Sequence, residues 1–184
     1  DWPFLFMGSH ASIATINTSF AIRQRVMEGK LTMAPVPANM SVQGQEMVSR
    51  FFTNLWLYEK VLHLAEWLLV FQADSIICAN SKHDLDEYLE YDWVGAPWNP
   101  NSAFGGNGGL SLRRVSRIVD VLRNNERPHN AEPEDVWLTE RLAHHPEAKL
   151  ANGTVSLTFS GELHSGIPEK VDKMRSNRTL EDTK

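Results

Sequence analysis

The sequence predicts an α/β domain, because short apolar runs typical of strands alternate with segments whose apolar residues have helical spacing. The length of 184 residues suits one domain with a single core. Apolar residues at 42% and charged residues at 22% are ordinary for a globular protein. We therefore expect one domain over residues 1–167 and a polar, mobile tail over residues 168–184.

The charge of −5, without a cluster of Lys and Arg, argues against a nucleic-acid surface. No apolar run is long enough to predict a transmembrane segment. We thus expect a soluble chain. Cys78 is the single cysteine, which excludes an intrachain disulfide framework, and its apolar neighbours predict a buried, inert thiol. Four Asn-x-Ser/Thr sequons leave the compartment open between the cytoplasm and the secretory pathway or Golgi lumen: Asn17, Asn39, Asn152 and Asn177.

The first third of the chain predicts two strands and two helical regions. Residues 2–7 are apolar and end at a glycine, as in a strand, and residues 11–29 have loose helical spacing. Residues 31–37 contain two prolines and indicate an edge strand or a loop. A clear helix begins near Ser41, with apolar residues three or four positions apart: Met47, Phe51, Leu55 and Tyr58.

The middle of the chain predicts two further strands. The continuous apolar run of residues 67–71 is typical of a central strand buried on both faces. Ser81 and Asp84 fit a capping box that opens a short helix ending near Tyr88. Residues 91–97 form a second short strand, and a polar, glycine-rich loop follows.

The last third predicts two helices and a strand. Ser111 is expected to cap a helix that contains Val115 and Ile118. Pro133 fits the first turn of another helix, which ends near His144. Residues 154–159 alternate between polar and apolar types, as in a strand.

Three segments could carry chemistry, all of them expected at the edge of the sheet where ligands bind in α/β folds. Asp74 follows the predicted central strand, where its carboxylate could hold a divalent cation, accept ribose hydroxyls, or open a turn. Glu134 and Asp135 lie in the first turn of a predicted helix. Such acids favour the helix dipole, and Asp135 could also act as a general base.

The third segment contains Gly105, Gly106, Asn107, Gly108 and Gly109. Glycines let the backbone approach a ligand closely, and a predicted helix N-terminus directly after them would offer N–H donors to an anion or hydroxyls. The segment is neither a Walker loop nor a complete dinucleotide fingerprint. A flexible hairpin is the alternative. His164 could add a metal ligand or be an ordinary surface histidine.

Four blocks in order resemble an uncharacterised, mainly fungal domain family that is similar to GT-A glycosyltransferases. The blocks are residues 71–75, 91–98, 106–113 and 133–137. The resemblance implies a mixed sheet flanked by helices and a sugar transfer from a nucleotide-sugar donor, most simply a UDP-sugar, to a hydroxyl acceptor. It further implies an inverting reaction in which Asp135 is the base and Glu134 a sugar- or acceptor-binding partner.

The resemblance also implies that Mn²⁺ or Mg²⁺ is bound by Asp74 and, near the C-terminus, by His164. Donor contacts are expected from a set of residues at the sheet edge: Gln72, Asp74, Trp98, Gly106, Asn107, Gly108 and Gly109. Two departures oppose a complete enzyme. Gln72 replaces the first aspartate of the family's Asp-x-Asp motif, and we expect the first nucleotide-binding strand, which would precede Trp2, to be lacking.

These departures motivate a rival hypothesis, in which the chain is a non-catalytic, truncated GT-A relative that binds a glycan or a protein partner. A phosphate-binding hydrolase is the third possibility, and it lacks a recognisable nucleophile.

Overall fold

The computed structural model describes residues 2–164. The chain divides into two compact units, Asp1–Phe51 and Phe52–Lys184. Both helices and strands are present, which confirms the α/β class. The predicted tail over residues 168–184 lies outside the described residues, and the single domain over residues 1–167 stays a prediction.

The first unit contains two strands and three helices. Its elements are β1 (Phe4–Gly8), α1 (His10–Ile16), α2 (Phe20–Met27), β2 (Leu31–Pro35) and α3 (Gln45–Phe52), of which the last residue belongs to the second unit. β1 and β2 pair in parallel, with Phe4 opposite Leu31. The predicted helical region over residues 11–29 is two helices, because α1 ends at its C-cap Asn17 and α2 follows its N-cap Ser19.

The second unit is built on a three-stranded antiparallel sheet. Its strands are β3 (Trp67–Phe71), β4 (Trp93–Gly95) and β5 (Leu110–Arg114), in the order β3-β5-β4. Its helices are α4 (Val115–Asn124), α5 (Glu134–Ala143) and α6 (Gly153–Phe159), with a π-helical turn at Leu57–Val61 and a 3-10 helix at Leu85–Tyr88. Within residues 2–164, no helix has the length and apolarity needed to cross a bilayer.

The segment after the glycines is a strand, so the prediction that Ser111 caps a helix is wrong. Leu112 pairs with Leu69 of β3 on one side and with Val94 of β4 on the other. The helical spacing is real, but the helix begins at Val115, directly after β5. Pairing with β3 and β4 therefore keeps residues 110–114 extended, although the spacing of apolar residues had assigned Ser111 to the helix.

The prediction that residues 67–71 form a central strand is also wrong, because β5 occupies the centre and β3 lies at an edge of its sheet. Only Val70 in β3 is buried, and Phe71 is 49% exposed. The guanidinium of Arg114 lies 4.6 Å from the ring centroid of Trp67 and covers part of its apolar surface. An apolar run therefore occurs here without burial on both faces.

Residues 154–159 form a helix rather than the predicted strand. The Asn152 side chain accepts a hydrogen bond from the Val155 N–H and caps α6. Thr158 and Phe159, at the C-terminal end of the helix, both contact Tyr88: the Tyr88 hydroxyl donates to Thr158 Oγ1, and the Tyr88 and Phe159 rings meet edge to face at 5.1 Å. The alternation of polar and apolar residues therefore does not produce a strand here.

Two local predictions, the position of the capping box and the burial of Cys78, are wrong. The capping box lies at Asp84 and Glu87, three positions after Ser81, whose hydroxyl instead donates to the His83 carbonyl. Cys78 is exposed, so the prediction of a buried thiol is wrong. It lies in a segment without regular structure, whose apolar residues Ile76 and Ile77 are exposed as well.

Candidate functional site

The topology of the second unit brings three chain segments to one edge of its sheet. β3 and β4 both run antiparallel to β5, so their carboxyl ends lie at the edge where β5 begins. The Gln72 N–H donates to the Gly109 carbonyl at 3.0 Å, directly after β3. The Asn107 N–H donates to the Ala96 carbonyl at 2.8 Å, directly after β4. The loop of residues 105–109, which we call the glycine loop, is thus fixed to both strand ends.

Absent side chains let the glycine loop pack against its own protein. Gly106 has φ +154°, and a Cβ there would lie 2.6 Å from the Gly95 carbonyl oxygen. A Cβ on Gly108 would lie 2.5 Å from Glu134 Oε1 and 2.8 Å from Arg113 Nη2. Internal packing alone therefore explains why Gly106 and Gly108 are glycines, and close approach of a ligand is not needed to explain them.

A buried ion pair lies beneath the glycine loop. Arg113 is fully buried, and its Nη2 donates to Glu134 Oε1 and to the Gly108 carbonyl, both at 3.0 Å. The Ser111 hydroxyl donates to the same carbonyl at 2.9 Å and accepts from Arg113 Nε. The guanidinium also lies 4.1 Å from the ring centroid of Trp93. β5 is thereby tied to the start of α5.

Asp135 is the half-buried carboxylate at this junction. Its Oδ2 accepts a hydrogen bond from the Gly108 N–H at 2.9 Å, and its Oδ1 accepts from the Val136 N–H at 2.8 Å. Burial raises the pKa of Asp135 and the negative charge of Glu134 raises it further, while the two backbone hydrogen bonds and Arg113 oppose the rise. Each carboxylate oxygen keeps a second lone pair, so Asp135 can accept a proton from a bound hydroxyl.

Two amide side chains lie beside Gly109 at the same edge. Asn107 Oδ1 accepts a hydrogen bond from the Gly109 N–H at 2.6 Å. A Cβ on Gly109 would lie 2.7 Å from Gln72 Oε1, so that side chain approaches from the other side. Gln72 is exposed and Asn107 is half-buried. Amides such as these both donate and accept hydrogen bonds, which suits a ligand rich in hydroxyl groups.

The remaining predicted site residues differ in their exposure and in their contacts with the glycine loop. The Trp98 ring packs against Gly105, where a Cβ would lie 2.7 Å from it, and the side chain is 37% exposed. Asp74 is exposed in the turn that the Ser75 N–H closes on the Gln72 carbonyl. His164 is half-buried beyond α6. Glu134 is 7% exposed and pairs with the buried Arg113.

The predicted metal ligands gain no third partner in residues 2–164, where no three His, Cys, Asp or Glu side chains come together in a group that could hold a metal ion. Asp74 and His164 as ligands of Mn²⁺ or Mg²⁺ stay predictions.

Sequence reasoning missed Arg113 and Ser111 as parts of the site. Both lie on one face of β5, two positions apart, and both point to the glycine loop. The alternation of apolar and polar residues from Leu110 to Arg113 was the available indication, since it is typical of a strand with one polar face. The prediction that Ser111 caps a helix led us to miss this strand pattern.

Comparison with known proteins gives one family. No curated protein and no solved structure matches the chain. Residues 30–175 match the family described as a protein of unknown function (DUF5672). This match includes Gln72, the glycine loop, the buried Arg113–Glu134 pair and Asp135. The match covers most of the sequence, and the chain therefore belongs to the DUF5672 family.

Proposed function

We propose that this protein is a glycosyltransferase of GT-A type that moves a sugar from a nucleotide-sugar donor to a hydroxyl acceptor. The observation that carries the proposal is Asp135, a half-buried carboxylate with a raised pKa at a sheet edge lined by amides. A raised pKa improves a carboxylate as a proton acceptor, because the ideal base has a pKa near the working pH.

The proposed reaction inverts the configuration of the sugar. Asp135 takes the proton of the acceptor hydroxyl, and the acceptor oxygen forms a bond to the anomeric carbon of the donor sugar. The bond from that carbon to the donor phosphate breaks, and the nucleoside diphosphate leaves with the electron pair. A UDP-sugar is the donor we favour, and bound Mn²⁺ or Mg²⁺ would supply charge neutralisation for the diphosphate.

The amides beside the glycine loop support recognition of a sugar. Asn107 and Gln72 flank Gly109 with groups that can bond to sugar hydroxyls. Trp98, 37% exposed at the same edge, offers an apolar face against which the C–H face of a sugar ring can pack. Trp98, Gly106 and Gly108 remain donor-binding residues of the proposal, together with Asp74.

The test measures nucleoside diphosphate release from a panel of nucleotide-sugars with Mn²⁺, for the wild type and for Asp135→Asn. We expect the variant to lose about 10²–10⁴-fold in turnover, the range for a general base. Donor binding is measured separately as thermal stabilisation, which reaches about 2.7 kcal/mol at 100-fold the dissociation constant. Asp86→Asn, an exposed first-turn carboxylate of the 3-10 helix, is the matched control.

The second candidate is a non-catalytic protein that binds a glycan or a protein partner. Exposed apolar side chains near the glycine loop favour it, since Phe71, Trp98 and Phe104 are 36–49% exposed. It predicts no turnover with any donor and glycan or partner binding that Asp135→Asn leaves unchanged. Turnover by the wild type that Asp135→Asn does not reduce would overturn the role of Asp135 as the base.

A further inference from the structure

We propose that Arg113 is a positioning residue, which holds the Gly108 peptide and Glu134 so that the Gly108 N–H stays directed at the Asp135 carboxylate. This inference rests on the proposed function for its catalytic meaning, because it concerns the base of that reaction. Its structural content, a fixed contact between the glycine loop and Asp135, stands on the geometry of β5 and α5.

Arg113 makes its hydrogen bonds to the junction between the loop and the helix. The donors Nε and Nη2 reach Ser111 Oγ at 2.9 Å, the Gly108 carbonyl at 3.0 Å and Glu134 Oε1 at 3.0 Å. The fixed fork of a guanidinium can hold two acceptors at a set angle, which a lysine ammonium cannot. One side chain therefore joins β5, the glycine loop and the first turn of α5.

The peptide unit between Gly108 and Gly109 is held at both ends. Its carbonyl accepts from Arg113 and from the Ser111 hydroxyl, and its N–H donates to Asn107 Oδ1 at 2.6 Å. With this peptide fixed, the Gly108 N–H lies 2.9 Å from Asp135 Oδ2. A Cβ on Gly108 would clash with Glu134 and Arg113, so the packing leaves no room for the loop to shift inward.

The surroundings of Arg113 keep it in this position. It is fully buried, lying 4.1 Å from the ring centroid of Trp93 and 4.9 Å from that of Phe52. Aromatic faces stabilise a buried cation. Burial raises the pKa of the neighbouring Tyr58 to about 12, so this phenol is neutral and adds no charge. The charged groups that face Asp135 are then Glu134 on its own helix and Arg113 on β5.

The first measurement titrates the Asp135 carboxyl by NMR in the wild type, Arg113→Met and Arg113→Lys, assigned with Asp135→Asn. Arg113 lowers the pKa of Asp135 and neutralises Glu134. We therefore expect the titration to move to higher pH in Arg113→Met and to an intermediate position in Arg113→Lys. We also expect faster hydrogen exchange of the Gly108 amide in both variants. If Arg113→Met does not fold, Arg113→Lys carries the test.

The matched controls are Arg114→Met and Arg114→Lys. Arg114 is the next residue of β5, but it pairs with Asp92 and Glu66 and lies over Trp67, away from the glycine loop. These controls are expected to leave the Asp135 titration and Gly108 exchange unchanged. An unchanged titration and unchanged Gly108 exchange in the Arg113 variants would overturn the inference, as would equal shifts in the Arg114 controls.

The second measurement is the pH profile of kcat/KM for donor turnover. We expect Arg113→Lys to lower kcat/KM by about 100-fold, the cost of misplacing a reacting group by about 1 Å. Its acid limb should move to higher pH together with the NMR titration. If the wild type turns over no donor, the proposed function fails, while the NMR and exchange results still decide whether Arg113 positions Asp135.

Discussion

Asp135 makes the proposed activity dependent on pH in a defined direction. Its pKa is raised above the ordinary 3.8, chiefly by burial and then by Glu134. The base must be deprotonated, so kcat/KM is expected to fall as the pH drops through the raised pKa, above the range of an exposed aspartate. The measurement is a pH profile of kcat/KM, with melting temperatures showing that the protein stays folded. An acid limb at or below pH 3.8 would contradict the assignment.

The sign of the accompanying change in stability follows from proton binding. Between the unfolded pKa of Asp135 and its raised folded pKa, the folded state binds more protons than the unfolded state. The contribution of Asp135 to stability therefore decreases as the pH rises through that window and is most favourable below the unfolded pKa. Carboxylates whose ionised form destabilises the folded state are common at functional sites, where activity and stability oppose each other.

Gly108 and Gly109 are adjacent glycines with different tolerance for a side chain. A Cβ on Gly108 meets the buried Arg113–Glu134 pair, which cannot move without breaking its hydrogen bonds. A Cβ on Gly109 meets the end of the exposed Gln72 side chain and the Asn107 amide. We expect Gly108→Ala to lower the free energy of unfolding by about 1–3 kcal/mol, and Gly109→Ala to lower it less. Urea unfolding at constant m-value measures both, and equal losses would argue against the clash.

At the residue scale, the sequence pointed to Asn107 and Asp135, which both contact the glycine loop, but not to the side chain that fixes this loop. Asn107 and Asp135 are far apart in sequence, and both could be selected because a glycine-rich loop and an acidic helix start are visible in the residues themselves. The alternation from Leu110 to Arg113 could place Arg113 on the polar face of a strand, but it could not show that its guanidinium is buried against the Trp93 and Phe52 rings. Such burial results from tertiary packing, which a single sequence does not display.

At the element scale, the misplaced start of α4 has a physical cause. The spacing of apolar residues identified α4 and α5, whose helical faces are clear, but did not place the start of α4. Residues 110–114 are extended because β3 and β4 bond to them on both sides, and this pairing spans distant parts of the sequence. Local pattern indicates which elements can form, while nonlocal pairing decides where a strand ends and the following helix begins.

The helical assignment of α6 is tested by its cap. Asn152 accepts a hydrogen bond from the Val155 N–H, which is the bond that an N-cap side chain makes to the first turn of a helix. Asn152→Ala should lower the free energy of unfolding by about 1 kcal/mol, the usual loss for an N-cap. Asn80→Ala, an exposed asparagine outside the helices and strands, is the control and should change stability little. Equal stability of the wild type and Asn152→Ala would favour the strand that the alternating residues first indicated.

At the scale of the whole molecule, the two compact units differ in how much they bury. Within residues 2–51, the buried residues are Gly8, Ser49 and Phe51, and α2 buries none of its residues. The second unit buries several large side chains completely: Trp93, Trp137, Tyr58 and Leu142 are 0–1% exposed. The glycine loop, Arg113 and Asp135 all belong to this second unit. The proposed base is thus supported by the most densely buried part of the described chain.

Native-state hydrogen exchange should follow this difference. Amides of β5, bonded to a strand on each side, should open only with the largest free energy, and amides of α2 should exchange through local opening at a much lower one. Leu142→Ala removes a fully buried side chain at a cost of about 2–5 kcal/mol and should lower the protection of β5 by that amount.

Exchange in α2 should be unchanged by Leu142→Ala, because local opening does not pass through global unfolding. Leu64→Ala, at a side chain that is 90% exposed, is the control and should leave both regions unaffected. If α2 amides lost protection in parallel with β5, then α2 would open only when the whole chain unfolds. The two units would then have the same stability despite their difference in burial. The rigid support of the proposed base would in that case not be confined to the second unit.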